Sequence, residues 1–217
     1  MSRVLLVFVD GVGLGESDPT VNPLAAARLP TFARLLDGHA PIAAAAPRRT
    51  AHASLVGLDA RLDIPGLPQS GTGQASLLTG HNAARIFGRH YGPWTPTALR
   101  PLVAEESLLA IAKRAGRRVA FANAYPEEVL ETAGPGARSR GPLRAGPPLA
   151  ALGAGLLDRH TAALERGDAV ASEITNEGWR ERLGRLTLPV VTPEEAGRNL
   201  ARIAAAHDLT FFAHYTT

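Results

Sequence analysis

The chain has 217 residues, of which 45% are hydrophobic and 20% are charged, a balance typical of a folded globular domain that excludes disorder along most of the chain. It contains no cysteine, which excludes a disulfide framework, a thiolate metal site and a cysteine nucleophile. The 23 basic and 20 acidic residues leave a net charge of +3, an excess too small to indicate a nucleic-acid partner.

The N-terminal part of the chain begins with a strand pattern. Residues Val4–Val9 are apolar without alternation, which predicts a strand buried on both faces, as in a parallel sheet. Asp10 ends this run, which is too short for a signal peptide or a membrane span, so we expect a cytoplasmic protein with no membrane partner. Helices are predicted over Leu29–Leu36 and over Gly71–Leu78, the second ending near Gly80.

Helical and strand patterns continue to alternate towards the C-terminus. They predict an aromatic surface loop over Ile86–Pro101 and a helix over Glu105–Ala115 that is stopped by glycine. A strand over Val119–Asn123, a helix from Pro193 to about Ala206 and a last strand over Leu209–Tyr215 follow. This alternation predicts an α/β fold with a doubly wound, mostly parallel sheet.

An irregular block from about residue 130 to residue 188 interrupts the alternation. Gly134–Pro148 has the composition of a linker or the base of a lid, and Gly155–Leu183 is helical by period with breaks near Gly167 and Thr175. We therefore expect a small helical insertion there, forming a cap or lid beside the carboxyl edge of the sheet.

Asp10 is the first residue that can carry chemistry, because it directly follows the first predicted strand. In open α/β sheets, ligands lie outside the carboxyl ends of the strands. A carboxylate at that place can bind a hard or borderline divalent cation. The alternative is a loop cap, in which the carboxylate accepts a backbone hydrogen bond before Gly11.

A second candidate segment runs from Pro68 to Gly80 with the sequence PQSGTGQASLLTG. Glycines and hydroxyl side chains lead here into a predicted helix N-terminus, where unpaired backbone N–H groups favour an anion. A hydroxyl at such a terminus can act as a nucleophile if its pKa is lowered. The alternative is an N-cap, in which Ser or Thr accepts a backbone hydrogen bond. The segment is neither a Walker loop nor a nucleophile elbow.

Together, these two segments resemble the alkaline phosphatase superfamily of metalloenzymes, which includes the cofactor-independent phosphoglycerate mutases, the phosphopentomutases and the nucleotide pyrophosphatase/phosphodiesterases. Val7–Gly13 resembles the first strand of that superfamily, whose Asp binds metal, and Gln69–Gln74 resembles its nucleophile segment. The resemblance implies that Ser70 is the nucleophile, with Thr72 as the alternative.

The resemblance also implies a function. It indicates a metal-dependent phosphoryl-transfer enzyme, either a phosphomutase or a phosphatase/phosphodiesterase, that acts on a small-molecule phosphoester through a phosphoserine intermediate. It implies two divalent metal ions, manganese, zinc or magnesium, with Asp10 and Ser70 among their ligands. The alkoxide of Ser70 would attack phosphorus in line, and the metals and the helix N-terminus would stabilise the charge on the equatorial oxygens.

Four further residues are candidates for substrate binding. Gln69 stands where the phosphoglycerate mutase branch has Asn, which leaves the substrate class open. His81 and His90 flank the nucleophile helix and its loop, and Arg89 suits bidentate phosphate binding. Because 22 of the 23 basic residues are arginine, a solvated surface position is the alternative for Arg89.

The chain departs from the superfamily in its metal ligands. Most of those ligands come from the C-terminal third of the superfamily members, as carboxylates and histidines, whereas this chain stops at a strand that resembles the one just before them. We therefore expect residues 1–217 to form an alkaline phosphatase-like core that is incomplete at the C-terminus. The alternative function is a catalytically incomplete module that binds an anion or phosphate without the metal site.

Overall fold

The computed structural model describes residues 2–131 and 141–215. It divides into two compact units, unit 1 with Met1–Asp10 and Arg61–Thr217, and unit 2 with Gly11–Ala60. Helices and strands follow one another in the order β1 Val4–Val9, α1 Pro23–Ala26, α2 Pro30–Leu35, β2 Arg48–Arg49, β3 Ser54–Leu55, α3 Ser70–Thr79, α4 Ala83–Phe87, α5 Arg100–Glu106, α6 Leu108–Arg114, β4 Val119–Phe121, α7 Glu128–Glu131, α8 Gly146–Gly153, α9 Thr161–Glu165, α10 Glu177–Leu183, α11 Pro193–Ala206 and β5 Leu209–His214.

Single 3₁₀ turns add to these elements at Ala43–Ala45, Thr97–Leu99 and Gly141–Arg144. Within the described ranges, none of the helices combines the length and the apolar character that crossing a bilayer requires.

Unit 1 is built on a three-stranded sheet in the order β1-β5-β4, with both neighbouring pairs parallel. The α/β class predicted from the sequence is therefore confirmed, with a small parallel sheet. The β4–β5 pairing continues beyond β4 through a side chain, since the Asn123 amide donates to the Ala213 carbonyl (2.7 Å) and accepts from the Ala213 N–H (2.8 Å). Asn123 also forms an isolated parallel β-bridge with Val170, so Val170 lies beside the residue that follows the end of β4 by two positions.

The core of unit 1 lies on the two faces of this sheet. Phe121 and Phe211 stack with ring centroids 5.9 Å apart in the larger cluster, which also contains residues of α3, α5, α6 and α8. The residues next to them in sequence, whose side chains point to the other face of the sheet, include Phe212 and pack with Ile203 of α11 in a second cluster. Alternate residues of β4 and β5 thus enter different clusters, as the two-residue period of a strand requires.

The expectation that β1 is buried on both faces is wrong. Leu6 and Phe8 pack against the larger cluster, but Val7 is 47% exposed and Val9 38% exposed. The second cluster has members from β4, β5 and α11 and none from β1 in the described part of the chain. The apolar run therefore predicted a parallel strand correctly. Such a run does not show whether other elements cover both faces of that strand.

Two helices of unit 1 show what the sequence pattern does and does not determine. The predicted end of α3 is confirmed, because Gly80 adopts the left-handed conformation at φ 74°. The helix predicted over Glu105–Ala115 is instead divided between α5 and α6 at Ser107, whose backbone is extended. The buried hydroxyl of Ser107 accepts the Ala110 N–H (3.3 Å) and caps α6. The apolar pattern runs through this break, which is why periodicity alone did not reveal it.

The block for which the sequence predicted a cap or lid, at about 130–188, contributes to the core of unit 1 where it is described. Ala150 and Ala151 of α8 are fully buried in the larger cluster. A Cβ on Gly153 would lie 2.3 Å from the Ala104 carbonyl oxygen, so α8 and α5 approach each other at backbone distance. The predicted helical stretch Gly155–Leu183 forms only α9 and α10, and residues 134–140 of the predicted linker lie outside the described residues.

Unit 2 consists of short elements joined by loops. The strands β2 and β3 pair antiparallel, and the Asn22 side chain caps α1 by accepting the Leu24 N–H (3.1 Å). The Thr50 hydroxyl donates to the Leu35 carbonyl (2.8 Å) and ties the end of α2 to the start of the β2–β3 turn. The glycine-rich residues 11–15 lie outside helices and strands.

Candidate functional site

Asp10 is held at the carboxyl edge of the sheet by its backbone. The parallel register pairs Val9 with His214, and the Asp10 N–H donates to the His214 carbonyl (2.9 Å), which extends the β1–β5 ladder by one residue. The carboxylate is thereby placed just beyond the strand end, where α/β folds bind their ligands. The side chain remains partly exposed.

Ser70 is the first residue of α3, and it faces Asp10. Its Oγ lies 3.4 Å from both carboxylate oxygens of Asp10, although 60 positions separate the two residues in the sequence. This separation exceeds the usual 2.5–3.0 Å of an O–H···O hydrogen bond. The pair is therefore kept together by the sheet edge and the helix that carry it, rather than by a short bond between the two side chains.

A loop lies across the N-terminus of α3. The Thr72 N–H donates to the Tyr91 carbonyl (3.0 Å), and the Tyr91 N–H donates back to the Thr72 hydroxyl oxygen (3.2 Å). A Cβ on Gly71 would lie 2.1 Å from the Trp94 carbonyl oxygen, so only glycine permits this approach. The residue Gln69 occupies the N-cap without a side-chain cap bond, and thus neither Ser70 nor Thr72 is the N-cap.

The alternative nucleophile Thr72 has no exposed surface, because its hydroxyl ties the helix to the Tyr91 loop. The hydroxyl of Ser70, in contrast, is partly exposed beside a carboxylate. An attacking oxygen must reach its substrate, so the surroundings favour Ser70 over Thr72 for that role.

Gln74 lies one turn after Ser70 on the same face of α3 and is 4% exposed. Its Nε2 is 3.5 Å from Asp10 Oδ2, and its Oε1 accepts the Gly146 N–H at 3.1 Å. Gln74 was not among the candidates predicted from the sequence. Its place four positions after Ser70, inside the helix predicted over Gly71–Leu78, is a signal that could have identified it.

Two phenols interact near this end of the sheet, those of the partly buried Tyr215 and the buried Tyr125. Tyr215 directly follows β5, and burial raises its pKa well above the usual value, with further contributions from Tyr125 and from the negative charge of Asp10. Burial likewise raises the pKa of Tyr125. Both side chains are therefore neutral phenols at neutral pH.

The four predicted substrate-binding residues fall into different places. Gln69 lies at the start of α3 with its Cβ against Gly92, and His90 is in the loop before Tyr91, where Nε2 is 3.2 Å from the Ile64 carbonyl. The exposed Arg89 has its guanidinium 5.8 Å from the centre of the Phe87 ring.

His81 lies past the opposite end of α3 from Ser70, about 16 Å along the helix axis at 1.5 Å per residue. There it pairs with Glu106 (3.0 Å) on the surface. The structure thus brings Asp10, Ser70 and Gln69 to one end of α3 and does not bring His81 there.

The metal-binding capacity of this arrangement can be judged from its donors. Asp10 and Ser70 supply oxygen ligands, which suit hard divalent cations by their chemistry. Over residues 2–131 and 141–215, however, no group of three or more His, Asp or Glu side chains is placed to hold a metal ion. Magnesium usually keeps several water ligands and needs only one or two protein carboxylates, so the two divalent ions stay a prediction of the resemblance.

Comparisons with known proteins add no assignment. No family model, no curated protein and no solved structure matches this chain.

Proposed function

We propose that this chain carries the nucleophile of a phosphoryl-transfer enzyme, with Ser70 attacking a small-molecule phosphoester. The observation that carries the proposal is the position of Ser70 Oγ at 3.4 Å from both carboxylate oxygens of Asp10, at the start of a helix and at the carboxyl edge of a parallel sheet. The resemblance of the same two segments to the alkaline phosphatase superfamily supports this reaction class and, as the finer fold assignment, a doubly wound core of that type.

The proposed step forms a bond between Ser70 Oγ and phosphorus and breaks the bond from phosphorus to the leaving oxygen. The Asp10 carboxylate, whose two oxygens both lie 3.4 Å from Ser70 Oγ, takes up the proton of the Ser70 hydroxyl. The leaving oxygen takes up a proton, and the resulting phosphoserine then passes its phosphoryl group to water or to a second hydroxyl. The two divalent ions remain a prediction of the resemblance.

The test is hydrolysis of p-nitrophenyl phosphate and bis(p-nitrophenyl) phosphate with manganese, zinc and magnesium supplied in turn. We expect Ser70→Ala to lower kcat/KM by about a thousandfold or more, because it removes the attacking oxygen. Mass spectrometry of an acid-quenched reaction is expected to find one phosphoryl group on the peptide containing Ser70. Full activity in Ser70→Ala would refute the assignment.

Thr72→Val is the matched control, since it removes the other hydroxyl of the same turn while keeping the side-chain shape. It leaves the part-buried Tyr91 N–H without its acceptor, so we expect the free energy of unfolding to fall by about 1–3 kcal/mol. Phosphoserine formation at Ser70 should persist. If Thr72→Val abolishes the phosphoenzyme and Ser70→Ala does not, Thr72 is the nucleophile.

A second candidate function is an anion-binding module without catalysis. It is favoured by the observation that the described residues place no third carboxylate or imidazole beside Asp10 and Ser70. Among the hydrogen bonds between described residues, the N–H groups of Ser70 and Gly71 have no acceptor. Calorimetric titration with manganese and with inorganic phosphate separates the two functions, because tight two-site manganese binding contradicts the module and phosphate binding without manganese supports it.

A further inference from the structure

The side-chain amide of Gln74 has two polar neighbours of opposite character. A backbone N–H, that of Gly146, lies on one side at 3.1 Å, and a carboxylate oxygen of Asp10 lies on the other at 3.5 Å. Because Gln74 is only 4% exposed, the oxygen and the NH₂ group of its amide must both find hydrogen-bond partners within the protein. Gln74 therefore connects the carboxylate of the site to the body of unit 1.

The orientation of this amide follows from the chemistry of the two neighbours. Gly146 offers only a donor, so the amide oxygen must face it, and the NH₂ group is consequently turned to Asp10, whose carboxylate is an acceptor. The opposite orientation would set two donors against each other and two acceptors against each other. The NH₂ group of Gln74 is thus oriented towards Asp10, at 3.5 Å, which is longer than the usual 2.7–3.2 Å of an N–H···O bond.

The Gly146 end of this connection is immobilised by packing. A Cβ on Gly146 would lie 2.9 Å from the Cβ of Gln74 and 3.2 Å from Leu78 Cδ1, so the close approach depends on glycine. The residue opens α8, whose next residues Pro147 and Pro148 are buried. The donor to Gln74 therefore comes from a rigid helix start in the core and not from a mobile loop.

We propose that Gln74 is a positioning residue that holds the Asp10 carboxylate towards Ser70. The catalytic part of this proposal rests on the proposed function, because the position of Asp10 affects the reaction only through the Ser70 hydroxyl. Ser70 and Gln74 lie four positions apart on one face of α3, so the same helix presents the attacking oxygen and the donor that orients its partner. Gln74 itself does not touch the reacting atoms.

Two variants separate positioning from simple packing. Gln74→Met keeps the size of the side chain and removes both hydrogen-bonding ends. Gln74→Glu keeps an oxygen for the Gly146 N–H and turns a second oxygen, with its negative charge, towards Asp10. Each is made with Asp10 intact and in the D10N background, and the four variants are compared with wild type and with D10N by thermal unfolding at pH 8.

If Gln74 faces Asp10, Gln74→Glu lowers Tm markedly with Asp10 intact, and D10N restores most of the loss because the like-charge repulsion is gone. An equal Tm loss in both backgrounds would overturn the proposal. If Gln74→Glu folds in neither background, Gln74→Met replaces it, and its Tm loss should be smaller in the D10N background. This comparison requires neither activity nor metal.

The catalytic consequence is measured separately with p-nitrophenyl phosphate. We expect Gln74→Met to lower kcat at least tenfold while KM stays within about threefold, since the substrate contacts remain and only the placement of Asp10 is lost. An unchanged kcat in an active, folded variant contradicts the positioning role. If the wild-type chain forms no phosphoserine, the proposed function fails, while the Tm comparison still decides whether Gln74 holds Asp10.

Discussion

Ser70 and Thr72 illustrate how surroundings assign different tasks to similar side chains. They are two positions apart on α3, yet the Ser70 hydroxyl is partly exposed beside a carboxylate and the Thr72 hydroxyl is buried against a backbone N–H. A hydroxyl that satisfies a buried donor stabilises the fold and is unavailable to a substrate. The residue type alone permits both tasks, and the neighbours decide between them.

Asp208 gives a prediction on pH dependence. Its carboxylate accepts the Arg118 guanidinium and the Arg118 backbone N–H, each at 3.0 Å, and these bonds hold the pKa of Asp208 below its usual value. A depressed folded-state pKa adds stability above the ordinary pKa of about 3.9, and that stability is lost as the pH falls through the folded value. We expect Asp208→Asn to unfold at lower urea concentration than wild type at pH 7.

The difference between wild type and Asp208→Asn should shrink as the pH is lowered below about 4, because the wild-type carboxylate then becomes protonated as well. Urea midpoints at pH 7, 5 and 3 measure this. Arg118→Gln is the control, since it removes the partner and should reduce the same pH dependence. A difference that stays constant over the whole range would show that the ion pair does not link β4 to β5 in solution.

At the scale of elements, α3 is fixed on several sides at once. The Tyr91–Trp94 loop covers its N-terminus, and Gln74 on its buried face reaches both Gly146 and Asp10. Residues of α3, α5, α6 and α8 share one cluster with the sheet. The serine at its first position is therefore placed by the core of unit 1, and changes in that core should reach the site.

Two glycines of α3 test this arrangement as a matched pair. A Cβ on Gly71 would lie 2.1 Å from the Trp94 carbonyl oxygen, whereas a Cβ on Gly73 would meet nothing within 4 Å. We expect Gly71→Ala to lower the free energy of unfolding by about 3 kcal/mol or more, because the loop backbone must move. Gly73→Ala should raise it by about 0.5–1 kcal/mol through helix propensity.

Urea unfolding of both variants supplies the measurement, and p-nitrophenyl phosphate hydrolysis shows whether the shifted loop also disturbs Ser70. Equal stabilities for Gly71→Ala and Gly73→Ala would mean that the Tyr91–Trp94 loop does not lie on the helix.

The elements differ in how far the sequence determines them. The start of α11 after Thr192 and the end of α3 at Gly80 were predictable, because caps and glycine conformations act locally. The break at Ser107 was not, since it depends on the burial of one hydroxyl in the assembled core. In the site, the strand end placed Asp10, while the contact of Gln74 with Gly146 joins positions 72 apart and has no local signal.

At the scale of the whole chain, β1 is exposed beyond what its composition predicted. Val4, Leu5, Val7 and Val9 are between 38% and 54% exposed, and β1 is an edge strand of the described sheet. An apolar edge strand of this kind can pair with another chain. The residue types of β1 favour a strand, although the described residues do not fully cover their side chains.

Val7 and Leu6 provide the corresponding prediction. Val7→Lys should change the free energy of unfolding by no more than about 0.5 kcal/mol and reduce concentration-dependent light scattering, because the charge enters solvent at an edge strand. Leu6→Lys should cost about 2 kcal/mol or more, since Leu6 packs against the larger cluster. A loss of stability in Val7→Lys as large as that in Leu6→Lys would show that Val7 is covered in the folded protein.

The pairing of β1 with β5 has a consequence for synthesis of the chain. Val4 pairs with Leu209, so the 205 residues from Leu5 to Leu209 must be added after Val4 before this pair can form. At about 5–20 residues per second, the ribosome takes roughly 10–40 s over that interval. During this time β1 has left the ribosome without its partner, and its valines are exposed to other nascent chains. Of the two paired strands, β1 is made first and must wait for β5, which makes it a target for chaperones that bind extended apolar segments.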